Sequence, residues 1–313
     1  MALEKITKEN LLHLYKEDCK LRGLTDKSIR SYASEIKIFM IFLDSNKYNI
    51  FDINNTVLED FLKYLRFERN SSQSRIENYF SALSSLYDFL LYKDRVDKNI
   101  ILSFRRRFLK RYKSDKPPST RKIISVEEMS LLLNSIVSLR DKTIAVLLAK
   151  TGIRRSELEA IELSDINFDE GSILLKFFKK RSNRLVFFDE ETSVILKKWL
   201  HRRKEIVNDG VTALFISDFG NPICRSGVYN AVVKWTKKAG FYVTSSANME
   251  DHFSTHNYRH WFTTHLRRNG MPRAFIKELR GDRQREAIDI YDHIDRNELR
   301  KAYLSAIPQL NLI

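Results

Sequence analysis

Ile173-Leu-Leu-Lys-Phe-Phe178, Lys179-Lys-Arg-Ser-Asn183 and Leu185-Val-Phe-Phe188 stand in succession. Two apolar runs flanking a polar turn predict a β-hairpin. A further short strand is expected over Ala213 to Ser217, before Gly220-Asn-Pro222. Elsewhere the apolar pattern is helical. Ile29, Tyr32, Ile36, Phe39 and Leu43 are spaced 3, 4, 3 and 4, one face of an amphipathic helix that Thr25 or Asp26 can cap. Ile76, Phe80, Leu83, Leu86 or Tyr87, and Leu90 repeat the pattern after Ser71-Ser72, and shorter helices are expected over 7–21 and 56–67. Ser125-Val-Glu-Glu128 reads as a capping box, and a helix from about Lys142 to Lys150 should end at Gly152. The fold class is therefore mainly α: a helical N-terminal bundle, then an α-rich domain holding a small antiparallel hairpin or sheet.

Between these halves lies Lys113-Ser-Asp-Lys-Pro117-Pro118-Ser-Thr, whose paired prolines predict an extended linker. The expected division is 1–110, a linker 111–122 and 123–313. Ser103 to Lys122 carries nine basic residues against Asp115 alone, net +8, about half of the formal +15 of the 313-residue chain. Such clustering points to a polyanion, most simply duplex DNA. Arg105, Arg106, Arg107, Lys110 and Arg111 are the expected phosphate contacts, with Lys180 in the hairpin turn. The basic linker could track the backbone or be a solvated spacer.

Aliphatic and aromatic content is too high for wholesale disorder. Cys19 and Cys224 lack any metal-ligand spacing or disulfide framework, so a reduced cytoplasmic setting with two structural thiols is expected. The start at Met1-Ala-Leu-Glu-Lys has no signal-peptide pattern, and no apolar run suits a membrane span.

Three further segments carry chemistry. They are Thr151-Gly-Ile-Arg154-Arg-Ser-Glu157-Leu158, His256-Asn-Tyr-Arg259 with His-Trp-Phe-Thr-Thr-His265, and, 32 residues after Arg259, Tyr291-Asp-His293. Two guanidiniums can hold phosphate oxygens through charge-assisted hydrogen bonds. A histidine can move protons and a tyrosine can be a nucleophile. Positions i and i+3 share a helix face, so His256 and Arg259 can point into one site.

In order and content these segments resemble the tyrosine recombinases, also called the phage-integrase family, over nearly the whole chain. The resemblance implies a core-binding domain over 1–110 and a catalytic domain over 123–313. It implies catalytic roles for Arg154, Lys179, His256, Arg259, Asp282 and Tyr291, with Arg155 the alternative to Arg154 and Lys180 to Lys179. Glu157 would brace the site, while His260 and His265 would pack or support it. Tyr258 and Tyr303 fit the nucleophile position less well than Tyr291. Where the family usually has Leu-Gly-His this chain reads Arg280-Gly281-Asp282. An ionised Asp282 cannot donate to phosphate but could orient an arginine or histidine, or it could stay protonated. The Arg-Gly-Asp variant resembles archaeal mobile-element integrases.

The implied reaction is metal- and ATP-independent recombination of DNA through a 3′-phosphotyrosyl link, without cofactor, by a homotetramer on paired sites that is a monomer or weak oligomer when free. The tail, with Leu299, Tyr303, Leu304, Ile307 and Leu310, would dock on a neighbour or on its own domain. A type IB topoisomerase and a catalytically silent DNA-binding protein are the alternatives.

Overall fold

In a computed structural model, which describes residues 6–109, 123–176, 183–246, 251–282 and 294–312, the chain divides into two compact units, Met1–Asp115 and Lys116–Ile313. The expected linker, Arg111 included, and Lys110 lie outside the described residues, as do Lys179, Lys180 and Tyr291. Among the described residues, no helix is long and apolar enough to cross a membrane.

The first unit is built from α1 (Lys8–Leu21), α2 (Asp26–Ser45), α3 (Asn55–Lys63), α4 (Gln73–Tyr92) and α5 (Ile100–Phe108). Polar caps set the starts: the Thr25 hydroxyl accepts from the Ser28 amide at 3.3 Å, and Asn54 accepts from the Val57 amide at 3.1 Å. Inside, Phe61 gathers Phe39, Phe42 and Phe80 around it, with ring centroids 4.8, 5.1 and 5.9 Å away. The expected stretch 56–67 is in fact α3 followed by a π turn over Tyr64–Glu68, a distinction side-chain spacing alone does not make. Phe104 stacks on Phe80 at 5.2 Å, which seats α5 against α4.

The second unit is organised around α7 (Leu139–Thr151), in which every residue from Asp141 to Thr151 is buried. A helix enclosed on all sides loses the one-faced pattern that betrays a surface helix. The preceding α6 (Val126–Asn134) starts at the expected capping box, with the Ser125 amide donating to Glu128 Oε2 at 2.7 Å and the Glu128 amide to Ser125 Oγ at 3.1 Å. A short α8 (Arg155–Glu159) follows α7.

The hairpin is present as β2 (Ser172–Leu175) and β3 (Arg184–Phe187), antiparallel with Ile173 opposite Val186 and Leu175 opposite Arg184. A third strand, β1 (Ile166–Asn167), pairs with β2 and makes the sheet β1-β2-β3. At two residues it is too short to show alternation.

The strand expected over Ala213 to Ser217 is corrected: only isolated bridges, Glu162 with Ala213 and Ile216 with Pro222, occur there. The physical reason is that side chains take some of its carbonyls. Trp199 Nε1 donates to Leu214 O at 3.0 Å, and Arg203 Nε and Nη2 donate to Ala213 O at 3.0 and 2.7 Å. Leu214, Phe215 and Ile216 are all buried, so the apolar run reports burial rather than a ladder.

The remaining helices are α9 (Glu190–Arg203), α10 (Arg225–Lys238), α11 (Thr255–Arg268), α12 (Arg273–Arg280) and α13 (Arg296–Ala306). The C-terminal segment docks on its own unit. Lys150, fully buried, donates to Asp189 Oδ2 at 2.5 Å, Glu191 Oε2 at 2.6 Å and Pro308 O at 2.8 Å. Glu191 in turn accepts from the Leu310 amide at 2.9 Å, and Leu310 is buried in the core. Lys150→Met removes the cation and leaves two carboxylates facing each other. Breaking a buried ion pair costs about 3–5 kcal/mol, so urea unfolding of this variant should show a loss of that order. Cys19 is buried as expected, but Cys224 is exposed at the start of α10, 3.1 Å from Ser226 Oγ, so it does not serve packing.

Candidate active site

Gly152 ends α7 with φ +60°, and a Cβ there would stand 2.3 Å from the Phe262 ring of α11. That close approach brings the Arg154 segment against α11, which carries Arg259. The Gly152 carbonyl accepts from Arg259 Nη1 at 2.8 Å. On α12, the Arg280 carbonyl accepts from both arginines: Arg259 Nη2 at 2.8 Å and Arg154 Nη1 at 3.0 Å. Two guanidiniums from distant parts of the sequence are thus pinned on one carbonyl.

Gly281 follows with φ +58°, its backbone packed under the Arg184 guanidinium, where a Cβ would meet Arg184 Nη1 at 2.8 Å. This left-handed turn delivers Asp282 to the same arginines. Asp282 Oδ1 accepts from Arg259 Nη2 at 3.0 Å and from Arg154 Nη2 at 3.4 Å, and Oδ2 lies 3.0 Å from Arg280 Nε. Asp282 therefore acts as an acceptor that orients guanidiniums.

Glu157 supports the cluster from below. It accepts from the Arg154 amide at 2.7 Å and Arg154 Nη1 at 3.2 Å, and it receives Arg184 through Nη1 at 3.2 Å and Nη2 at 2.8 Å. Burial alone would raise its pKa, but the hydrogen bonds and charge of Arg184, then those of Arg154, outweigh this and hold it at about 2. Arg184 was absent from the sequence expectations as a functional residue. Its signal was a charged residue opening an apolar strand, and its Nε also donates to Leu279 O at 3.1 Å.

The Glu157 carboxyl has an ordinary value of about 4.3 when unfolded. A lower folded value stabilises the protein above the unfolded pKa, and that stability is lost as pH falls through the folded pKa. A difference of this size corresponds to up to about 3 kcal/mol. Glu157→Gln should lose most of that at pH 7, and the gap from the parent should close progressively below about pH 4. Urea unfolding at several pH values measures it. A gap independent of pH would show that packing, not charge, is lost.

Arg259 is 4% exposed. Burial, then repulsion from Arg154 and Arg280, pushes its guanidinium down to about 9, so it still carries its charge at neutral pH. Arg155 turns away from the cluster, its guanidinium 5.3 Å from the Tyr229 ring centroid, so the geometry favours Arg154 over its neighbour. His256 is exposed one turn before Arg259 on α11, its ring 4.8 Å from that of His260. His265 is buried, with Nε2 3.3 Å from Ile124 O and its ring 4.5 Å from Trp261.

Tyr258 is buried and its phenol is pushed up by burial. Tyr303 is fully buried, donates to Lys150 O at 3.0 Å and is pushed well up by burial and by the Asp189 charge. Neither hydroxyl is presented to a large anionic substrate.

Of the expected phosphate contacts, Arg106 and Arg107 are exposed on α5. Arg105 instead turns onto α4, donating to Ser84 Oγ at 3.2 Å and Ser81 Oγ at 3.1 Å.

Comparison with known proteins agrees with this architecture. Residues 122–298 match the model of the phage integrase family, and residues 11–97 match the phage integrase N-terminal SAM-like domain. Tyrosine recombinase XerC of Vibrio cholerae is 28% identical over 240 residues, covering 75% of this chain and 72% of the relative. Tyrosine recombinase XerD of Oceanobacillus iheyensis is 26% identical over 300 residues, covering 92% and 94%. In fold the chain is similar to the XerH site-specific recombinase solved in a post-cleavage complex with palindromic difH substrate, with a TM-score of 0.68, 20% identity and coverage of 96% and 84%. The match extends over more than half of the chain and includes the arginine cluster, and the chain belongs to the phage integrase family of tyrosine recombinases.

Proposed function

We propose that this tyrosine site-specific recombinase cleaves and rejoins duplex DNA with Arg154 and Arg259 clamping the scissile phosphate, Lys179, His256 and Tyr291 completing the site, and no metal or ATP consumed. The phenolic oxygen of Tyr291 attacks phosphorus, a 3′-phosphotyrosyl bond forms, and the bond to the 5′ oxygen breaks as Lys179 supplies its proton. A 5′ hydroxyl from another strand reverses the step. His256 assists proton movement, and the link conserves the energy of the broken phosphodiester.

The observation that carries this reading is the meeting of two arginine Nη2 atoms on one carboxylate oxygen, which makes a ready-made seat for a phosphate oxygen. A duplex nicked beside the cleavage point tests it. Formation of a denaturation-resistant protein–DNA adduct and joining to a second duplex are expected. Adduct without joining would point to strand relaxation, and no adduct to a silent binder.

Exchange between two duplexes needs four active sites, so the working form is a homotetramer on DNA, with the free chain a monomer or weak oligomer. The Arg280-Gly281-Asp282 variant supports an origin on an archaeal mobile element.

Arg106 and Arg107 are the better phosphate contacts of the basic cluster, because Arg105 already donates to two serines of α4. Neutralising Arg106 and Arg107 together should weaken binding to target and scrambled duplexes alike. The slope of log K against log salt should flatten by up to about 1.8, at about 0.9 per lost contact. Arg105→Gln should leave the slope nearly unchanged and lower stability instead. Binding across a salt series reads both.

A further inference from the structure

The geometry points to Asp282 as a positioning residue that occupies the seat of the scissile phosphate in the DNA-free protein, holds Arg154 and Arg259 together there, and is displaced by the phosphate when DNA binds. This rests on the reading of the two arginines as the phosphate clamp.

Most of the arginine donors are already committed. Arg259 Nη1 donates to Gly152 O, Arg259 Nη2 to Arg280 O, and Arg154 Nη1 to Arg280 O and Glu157. The Asp282 carboxylate takes the two Nη2 atoms that face each other, at 3.0 and 3.4 Å. A carboxylate and a phosphodiester compete for the same donors, since both present acceptor oxygens to the guanidinium fork.

The exchange is balanced in charge, one monoanion for another. It is also accessible from outside: the Asp282 side chain is 31% exposed, whereas Arg259 is 4% exposed. The Asp282 backbone stays anchored through its amide, which donates to Lys277 O at 3.2 Å, so rotation of the side chain suffices. Without an anion, the guanidiniums of Arg154, Arg259 and Arg280 would repel one another in a partly buried site, and burial, followed by repulsion from the other two, already pushes the Arg259 guanidinium down. Asp282 keeps the cluster assembled until the substrate replaces it.

A residue with this role sets how much protein is needed to load the phosphate, not how fast the loaded site reacts. The full chain and a nicked duplex are used, and the single-turnover rate of adduct formation is followed against protein concentration. Slowed adduct formation by Arg154→Ala and Arg259→Ala tests the clamp reading independently. For Asp282→Asn the half-saturating concentration should fall by about tenfold, the order expected when a competing charge-assisted acceptor is made neutral.

Asp282→Ala, which has no side chain left to misplace, is read beside it, and thermal melting establishes that each variant is folded. Both gains must shrink when Arg154→Ala is added, because part of the competition passes through that arginine and the rest through Arg259. The inference is overturned by a lower saturating rate at unchanged half-saturation, which would make Asp282 a helper of the reaction itself. It is equally overturned by a gain that persists undiminished without Arg154, which would be charge acting at a distance.

Discussion

Tyr291→Phe is expected to bind duplex DNA as tightly as the parent and to form no covalent adduct with it. The substitution deletes one oxygen and keeps the ring, so whatever packing the side chain makes is preserved while the nucleophile is gone. The effect should be all-or-none, because no other phenol considered for the role is placed to substitute. Tyr258 is buried on α11, and Tyr303 is fully buried with its hydroxyl donating to Lys150 O. A free tyrosine has a pKa of about 10, so the proposed attack needs a cationic surrounding that favours the phenolate. The measurement is electrophoresis under denaturing conditions after incubation with nicked DNA, beside a native binding assay. An adduct formed by the Tyr291→Phe protein would move the nucleophile elsewhere. Loss of binding together with loss of adduct would mean that the residue holds structure.

The parts of this molecule that declare themselves in sequence are those where periodicity or a cap leaves a local trace. The helix over Asp26–Ser45 shows its apolar face at spacings of 3 and 4, and its Thr25 cap is a single residue at a legible place. Ser125 with Glu128, and Gly152 after α7, are local in the same sense. The arginine segments were legible because their residue types and spacing resemble a known pattern, not because spacing alone placed Arg154 beside Arg259.

What was not legible depends on contacts between distant segments. Lys150 reads as an ordinary polar residue at the end of a helix, yet it ties Asp189, Glu191 and the Pro308 carbonyl together, and this decides that the tail stays on its own unit. Arg105 reads as one of a run of basic residues, but it falls on the side of α5 that meets α4 and is taken up by Ser81 and Ser84. Arg184 gains its role only when Gly281 brings α12 close to β3.

Arg259→Ala should slow single-turnover cleavage at saturating protein by about 10²–10³, the loss expected for one preorganised donor to the transition state. It should also destabilise the second unit, and this separates it from Arg154→Ala. Arg259 is buried and donates to two backbone carbonyls, Gly152 O and Arg280 O, so alanine leaves both without that partner at the junction of α7, α11 and α12. An unsatisfied buried acceptor costs about 1–3 kcal/mol. Arg154 is more exposed, and Glu157 keeps its paired contact with Arg184 when Arg154 is removed. Arg154→Ala should therefore lose a comparable factor in rate with a smaller loss in stability. Arg259→Lys retains a charge but cannot reach two carbonyls and an anion with one planar fork, so it should recover little of the rate. Cleavage rates at saturation and thermal melts of the three variants give both axes. Cleavage near the parent's speed by Arg154→Ala or Arg259→Ala would remove that residue from the clamp. Equal melting losses in the two would mean that the hydrogen bonds of Arg259 to Gly152 and Arg280 do not carry the junction.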